Sequence, residues 1–155
     1  MKVRDFCSRI VAVAMPSTDL LEAARMMREH HVGSLVVIDK SDGATAPIGV
    51  VTDRDIVVLA VAAGVDPQTL TVKDVMSPEP TVLRDDCGVF EAAETMAATG
   101  ARRLPVVTEG GALMGIVSLD DILRVQSTEL AYLVETVNRS AQREIESRPA
   151  KIAGA

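Results

Sequence analysis

The sequence predicts a mixed α/β fold built from two pseudo-symmetric halves, each a small sheet covered by helices. The main observation is an internal repeat. Val3-Arg4-Asp5-Phe6 returns as Val72-Lys73-Asp74-Val75, and Glu22-Ala23-Ala24 returns as Glu91-Ala92-Ala93, both 69 residues later. The stretches 49–56 and 115–122 also match, at an offset of 66. Each unit is too long for a solenoid repeat and too short for a comfortable independent domain, so we expect two packed halves with equivalent clefts between them.

Composition supports this fold class and narrows the function. The chain has 155 residues, of which 48% are hydrophobic, enough for a core of aliphatic side chains. Aromatic residues make up 2% and the net charge is −6, a combination that argues against nucleic acid as a partner. No apolar run reaches the roughly 18–20 residues of a membrane helix, and the start does not resemble a signal peptide. We therefore expect a cytoplasmic protein without a membrane partner, with Cys7 and Cys87 as thiols.

The first half reads as strand, helix, strand, strand, helix. Residues 10–13 are a short apolar run that ends before Pro16, and Ser17-Thr18-Asp19 offers helix caps with Glu22 in the first turn. Helical spacing predicts a helix over 19–31, and β-branched runs predict strands at 35–38 and 48–52, with a turn at 41–43. A helix over 53–63 is apolar on nearly every face, which predicts burial on all sides, against its own sheet and against another half or subunit.

The second half repeats this order. A helical turn is expected at 71–76, and Ser77-Pro78-Glu79-Pro80 interrupts it. Strands are expected at 81–83, 104–107 and 113–117, with a helix over 88–99 between the first two. A final helix begins near Leu119 and extends past residue 140. The expected boundaries are therefore 1–64 and 65–126 for the repeats, 127–146 for a helical extension and 147–155 for a disordered tail.

A short motif closes each half: Gly49-x-x-Thr52-x-x-Asp55 and Gly115-x-x-Ser118-x-x-Asp121. Glycine permits a close approach of backbone or ligand to the strand. The hydroxyl and the acid, three residues apart, match a helix capping box, and in a single copy capping is the favoured interpretation. Duplication favours a ligand site instead, because the carboxylate can accept hydrogen bonds from ribose hydroxyls and the helix start attracts phosphate.

Two repeats that each end in this motif resemble a pair of cystathionine-β-synthase (CBS) domains, also called a Bateman module. The resemblance covers about residues 1–125, and the stretches 27–30, 52–57 and 62–67 are similar to stand-alone bacterial pairs of the hypoxic-response type. It implies two clefts related by a pseudo-twofold axis, and such clefts commonly bind AMP, ADP or ATP, and in some members NAD or S-adenosylmethionine. The resemblance implies a bound ligand but no required cofactor.

The resemblance also assigns roles to individual residues. Asp55 and Asp121 would hold ribose hydroxyls, and Thr52 and Ser118 would contact ribose or phosphate. The early strands would border the base with aliphatic side chains, at Val11, Ala12, Thr81 and Val82.

The two copies differ in their charges. Arg102 and Arg103 stand where family members often place phosphate-binding residues, whereas the first half has Gly33 and Ser34 at the matching positions. Arg54 in the first half corresponds to Asp120 in the second. We expect one cleft to bind nucleotide better, or alone, and leave open which cleft Arg102 serves; a solvated surface charge is the alternative for the arginine pair.

Three functions follow, in order of preference. The first is a regulatory, non-enzymatic sensor of adenosine nucleotides that acts through a homodimer or through a separate regulated protein, which the sequence does not identify. The second is a nucleotide-independent dimerisation scaffold with degenerate clefts. An enzyme is the weakest hypothesis, because no nucleophile–base pair or phosphate-binding loop is present. No metal site is expected either, since His30 and His31 are adjacent on a helix and face different directions.

Overall fold

The computed structural model describes residues 1–40, 43 and 45–147. Of the predicted tail at 147–155, Ser147 is the last residue of a helix and the rest lies outside these residues, as does most of the predicted turn at 41–43. The chain comprises two units, Met1–Leu119 with both sheets and Asp120–Ala155, whose described residues form a helix. None of the described helices has the length and apolarity needed to cross a membrane.

The first half contains a 3-10 helical turn (Val3–Asp5), three strands and two further helical segments. Asp19 caps the first helix by accepting a hydrogen bond from the Glu22 N–H at 2.8 Å, and the helix ends at His31, which has a left-handed φ of 53°. The elements are β1 (Val13–Ala14), α1 (Leu20–His30), β2 (Ser34–Ile38), β3 (Pro47–Thr52) and α2 (Asp53–Ile56), which continues as a π-helical segment (Val57–Val61).

The second half follows the same order with one addition. A short strand, β4, comes directly after the first helical turn, where the sequence predicts only an interruption. The elements are α3 (Val72–Val75), β4 (Ser77–Pro78), β5 (Leu83–Arg84), α4 (Val89–Thr99), β6 (Arg103–Val107), β7 (Leu113–Ser118) and α5 (Leu119–Ser147).

The strands form two sheets with matching registers. In the first sheet the order is β1-β2-β3-β4, and in the second it is β5-β6-β7. In each sheet the first two strands run parallel, and the next pair is antiparallel. Val37 lies opposite Gly49, and Val106 lies opposite Gly115, with a register shift directly after each valine. The predicted α/β class and the repeat are thus confirmed.

The two halves exchange their leading segments. In β4, Ser77 pairs with Val50 of the first sheet, and Ser8 forms an equivalent bridge with Ile116 of the second sheet. The helical turns before these residues are exchanged as well. The Val3 N–H donates to the Cys87 carbonyl at 2.8 Å, and the equivalent Val72 N–H donates to the Thr18 carbonyl at 2.8 Å. Each sheet is therefore completed by the other half.

The core of the first sheet reflects this exchange. Helix α1 contacts β2, and α2 contacts β3. Val72 and Val75 of the second half are buried in the same cluster as Leu20, Leu35 and Val51 of the first half. Because the second half contributes to this core and each sheet is completed by the other half, we expect neither half to retain its full stability alone.

Three sequence predictions need correction. The strand expected at 10–13 begins only at Val13, and the strand expected at 81–83 begins only at Leu83, because the parallel ladders to β2 and β6 include just two residues each. The apolar helix expected over 53–63 is α-helical only to Ile56 and π-helical to Val61. It is not buried on all sides within this chain, since four of its apolar side chains are about half exposed: Val57, Val58, Leu59 and Val61.

Candidate functional site

The first copy of the motif forms a capping box at the start of α2. The Thr52 hydroxyl accepts a hydrogen bond from the Asp55 N–H at 3.1 Å and donates to Asp55 Oδ2 at 2.7 Å. Asp55 Oδ2 also accepts from the Thr52 N–H at 2.8 Å. Capping therefore occupies Oδ2 of Asp55. The other carboxylate oxygen of Asp55 can accept a hydrogen bond from another donor.

An equivalent box starts α3, where the Thr71 N–H and hydroxyl donate to Asp74 Oδ2 at 2.8 and 2.7 Å. The hydrogen bond from the Thr71 hydroxyl, with that from its N–H, lowers the pKa of Asp74, because both favour the charged carboxylate. This second box is a natural comparison for Asp55, since it performs the same capping at a different place.

The motif glycines are required by the exchanged segments. A Cβ on Gly49 would lie 2.5 Å from Met76 Sδ and 3.1 Å from the Ser77 carbonyl oxygen. A Cβ on Gly115 would lie 2.6 Å from the Ser8 carbonyl oxygen and 3.0 Å from Cys7 Sγ. Of the two close approaches that the sequence allows, backbone or ligand, it is the backbone of the other half that lies against each glycine.

A cavity of about 660 Å³ lies between the two halves, within Met1–Leu119. We call it the interhalf cavity. From the first half it is lined by Gly33, Ser34, Val50 and residues 52–54, and from the second half by residues 77–81 and 99–105. It thus joins the start of α2 to the exchanged strand β4 and to the beginning of β6.

Helix ends position the polar wall of this cavity. Helix α4 ends at Gly100 in the left-handed conformation, which turns the chain towards Arg102 and Arg103. The Arg102 carbonyl then accepts a hydrogen bond from the Leu119 N–H at 2.9 Å. In the first half, the Gly33 carbonyl accepts from the Asp53 N–H at 3.0 Å in the same way. The equivalent corners of both halves therefore meet at one cavity.

The charges on the cavity wall are mixed. Three arginines line it, Arg54, Arg102 and Arg103, together with the carboxylates of Asp53 and Glu79. All five side chains belong to exposed residues, so they can reorient towards a ligand. The excess of arginine favours an anionic ligand, and the two acids limit how much negative charge is tolerated.

Five of the predicted site residues lie on this cavity: Thr52, Arg54, Thr81, Arg102 and Arg103. Asp55 is half-buried beside Thr52 in the capping box but does not line the wall. Val82 follows Thr81 and also lies off the wall, as do Val11, Ala12 and Ser118. Asp121 belongs to the unit that starts at Asp120, where its carboxylate lies 3.6 Å from Arg124. The roles of these residues in binding stay predictions.

Sequence reasoning missed the contribution of the exchanged strand. Ser77, Pro78, Glu79 and Pro80 line the cavity, and Glu79 has a left-handed φ of 50°, which is costly for a residue with a side chain. A signal was present, because Ser77 follows Ser8 by the repeat offset of 69 residues. Equal spacing would have predicted equivalent roles for these two segments.

A second, more apolar groove of about 600 Å³ adjoins α1 and α2. Its walls include Met27, His31 and Val57, and it shares Gly33 and Asp53 with the interhalf cavity. Gly33 leaves little room here, because a Cβ would lie 3.1 Å from Asp53 Oδ2. Asp53 therefore lies between the interhalf cavity and the exposed π-helical segment.

Comparison with known proteins agrees with this architecture. A family model described as the CBS domain matches residues 3–61 and 72–128. An uncharacterized protein of Methanopyrus kandleri is 36% identical over 143 residues, which are 92% of this chain and 69% of that protein. Hypoxic response protein 1 of Mycobacterium tuberculosis is 34% identical over 121 residues, 78% of this chain and 82% of that protein. A match to the inosine-5'-monophosphate dehydrogenase of Korarchaeum cryptofilum covers only 25% of the enzyme.

Solved structures show the same fold. Hypoxic Response Protein I with two coordinated zinc ions superposes with a TM-score of 0.71 at 32% identity, over 80% of this chain and 98% of that chain. CBSX2 in complex with AMP has a TM-score of 0.71 at 32% identity, over 82% of this chain and 96% of that chain. Among the described residues of the present chain, no group of three or more His, Cys, Asp or Glu side chains is arranged to hold a metal ion.

Proposed function

Since this chain belongs to the CBS domain family, we propose that it is a regulatory module that binds an adenosine nucleotide in the interhalf cavity. The observation that carries the proposal is the meeting of Thr52 and Arg54 with Arg102 and Arg103 at one cavity. A hydroxyl and a neighbouring carboxylate suit a ribose, and clustered guanidinium groups suit a phosphate.

The parts of a nucleotide have distinct places in this proposal. Asp55 does not line the wall but adjoins Thr52, which does, so we propose that the ribose enters beside Thr52 and that its hydroxyls donate to the second carboxylate oxygen of Asp55, while the first keeps its capping role. The phosphate is held by Arg102 and Arg103, with Arg54 on the opposite half. The base lies near Thr81 and Pro105, against aliphatic rather than aromatic groups. CBSX2, a structural relative that has been solved in complex with AMP, supports the choice of ligand class.

The same proposal predicts unequal clefts. A matching cleft would use Ser118 and Asp121 with Val11 and Ala12, and Asp120 would replace Arg54 in it. Because that carboxylate repels phosphate, we propose that the cleft at Thr52 binds more tightly. AMP and ADP fit the mixed charge of the interhalf cavity better than ATP; NAD and S-adenosylmethionine are the other ligands to compare.

Ligand binding would act on a homodimer or on a separate regulated protein. Asp53 borders both the interhalf cavity and the groove next to Val57, so a ligand that moves Asp53 alters that groove. The neighbouring apolar side chains of 57–61 are half exposed and suit an intersubunit contact. A shift requires that nucleotide bind one arrangement more tightly than the other.

The experiment compares two capping carboxylates. Asp55→Ala and Asp74→Ala each remove the carboxylate side of a capping box, so each should cost about 1 kcal/mol of stability through the lost hydrogen bonds. Only Asp55→Ala should also weaken AMP binding, by about tenfold or more, since it removes the ribose acceptor. Equal AMP affinities for the two variants, measured by calorimetric titration, would contradict the proposed role of Asp55.

A nucleotide-independent scaffold is the second candidate, and the exposed apolar side chains of 57–61 are the observation that favours it. A thermal melt separates the two functions. A ligand at 100 times its dissociation constant adds about 2.7 kcal/mol, which raises the midpoint by about 5–10 °C for a chain of this size. An unchanged midpoint with AMP, ADP, ATP, NAD and S-adenosylmethionine, together with a stable dimer, would favour the scaffold.

A further inference from the structure

Helix α5 presents a long apolar stripe to solvent. Every described residue from 126 to 146 is exposed. Six apolar side chains along the helix are between 51 and 73% exposed: Leu123, Leu130, Leu133, Val134, Val137 and Ile145. Helices in water owe most of their stability to packing of such a face, so a helix of 29 residues with this stripe needs a cover.

The stripe has the spacing of a coiled-coil seam. Leu123, Leu130 and Val137 recur every seven residues, and Ser127, Val134 and Ala141 interleave with them at alternating steps of four and three. This 3.5-residue period keeps one face of a helix against a partner helix with the same period. The seam therefore fits a helix of its own kind, and a second copy of this chain supplies one.

Charge decides the orientation of such a pair. A parallel pair would place Glu144 against Glu144 of the second copy in the continuation of the seam. An antiparallel pair with Val134 opposite Val137 places Leu130 opposite the small Ala141 and Ser127 opposite Glu144. It also brings Arg124, which is largely exposed, close to Glu144 of the second copy. In the antiparallel pair Leu130 meets the small Ala141, and the attraction between Arg124 and Glu144 replaces the repulsion between two Glu144 side chains.

We propose that α5 pairs antiparallel with α5 of a second copy through the seam Ser127, Leu130, Val134, Val137, Ala141 and Glu144. The contact buries on the order of several hundred Å² per copy, below or near the roughly 800 Å² of a standard interface. It is isologous, since the same stripe serves both copies. It does not rest on nucleotide binding, and it is separate from the surface at 57–61.

Sedimentation tests whether the seam joins chains. Leu130→Glu puts a charge in the seam. The mass measured for this variant should be half the mass of the assembly that the unmodified chain forms. Tyr132→Glu is the matched control, because Tyr132 is similarly exposed on the opposite face of α5, and its mass should not change. Equal masses for both variants, or a monomeric unmodified chain at micromolar concentration, would overturn the proposal.

Disulfide trapping tests the orientation. Chains carrying Ser127→Cys and chains carrying Glu144→Cys are mixed, one set with a size tag, and oxidised. Cys7 and Cys87 are buried, so the introduced thiols should react first. The proposal expects a mixed disulfide between the two kinds of chain. A disulfide within the Ser127→Cys population alone would show a parallel pair, and no cross-link at all would show no pair; either result refutes the antiparallel seam.

Discussion

Substitution of Gly115 by alanine tests whether the halves really complete each other's sheets. The added Cβ would lie 2.6 Å from the Ser8 carbonyl oxygen, a backbone atom of the exchanged segment. Ser8 and Ile116 are joined there by two backbone hydrogen bonds, both of 2.9 Å. The new methyl group therefore forces the segment away from β7 or distorts the strand.

The size of the effect follows from three contributions. Overpacking costs about 1–3 kcal/mol. Loss of the two backbone hydrogen bonds adds about 0.5–1.5 kcal/mol for each bond. The lower entropy of alanine in the unfolded chain offsets about 0.4–1 kcal/mol. Together these terms predict that Gly115→Ala destabilises the protein by about 1–5 kcal/mol.

Two other glycines provide the comparison. At Gly49 the nearest atom to an added Cβ is Met76 Sδ, which can rotate away, so Gly49→Ala should cost less than Gly115→Ala. At Gly110 the Cβ would lie 3.8 Å from the Thr108 hydroxyl oxygen, an ordinary contact, so Gly110→Ala should be nearly neutral. Urea denaturation gives all three free energies of unfolding. If Gly115→Ala is as stable as Gly110→Ala, the exchange of leading segments does not hold in solution.

Other predictions concern helix capping and the buried thiol. Asp19→Ala removes the acceptor of the Glu22 N–H and should lower the free energy of unfolding by about 1 kcal/mol, which urea denaturation measures; a neutral effect would contradict the cap. Burial, with the nearby Glu91, raises the pKa of Cys87 from 9.0 to about 11, so its alkylation by iodoacetamide at pH 8 should be much slower than that of an unfolded thiol. Because the unfolded thiol ionises first, the Cys87 contribution to stability is present below pH 9 and is lost as the pH rises to about 11; a Cys87→Ser comparison isolates it.

Much of the fold follows from local pattern. The repeated β-branched runs predict β2, β3, β6 and β7, and their observed registers are equivalent in the two halves. The caps expected at 17–19 with Glu22 mark the start of α1, and the structure selects Asp19 among them, since capping depends only on residues three apart in the chain. These elements depend on neighbours in sequence, which a sequence displays directly.

The pairing of the exchanged segments could not be predicted from local sequence pattern. Ser8 and Ser77 belong to sheets of the opposite halves, and no local periodicity marks a pairing between residues so distant in sequence. The assignment of Gly49 shows the same limit: the pattern indicates a close approach, but not that Met76 and Ser77 make it. Long-range pairing depends on topology, which two-residue strands scarcely specify.

The candidate site contains both residues that the sequence predicts and residues that only the fold brings there. Thr52 was expected from the repeated motif, Arg54 from the charge difference between the copies, and Thr81, Arg102 and Arg103 from the family resemblance, and all five line one cavity. Other members of its wall, such as Ser34, Glu79 and Ala101, carry no distinctive chemistry in the sequence. They reach the cavity because the start of β2 and the ends of β4 and α4 lie there.

A calorimetric titration with AMP tests the central claim most directly. Arg102→Ala removes a phosphate partner on the cavity wall, and Arg25→Ala is the matched control, an exposed arginine of α1 that pairs with Glu22 away from the cavity. Loss of a charge-assisted hydrogen bond of about 1.5–3 kcal/mol weakens binding roughly 10- to 150-fold. We predict that AMP binds the unmodified chain and Arg25→Ala equally and binds Arg102→Ala at least tenfold more weakly. No heat of binding at millimolar AMP, or equal affinity for all three proteins, would contradict an adenosine-nucleotide site between the two halves.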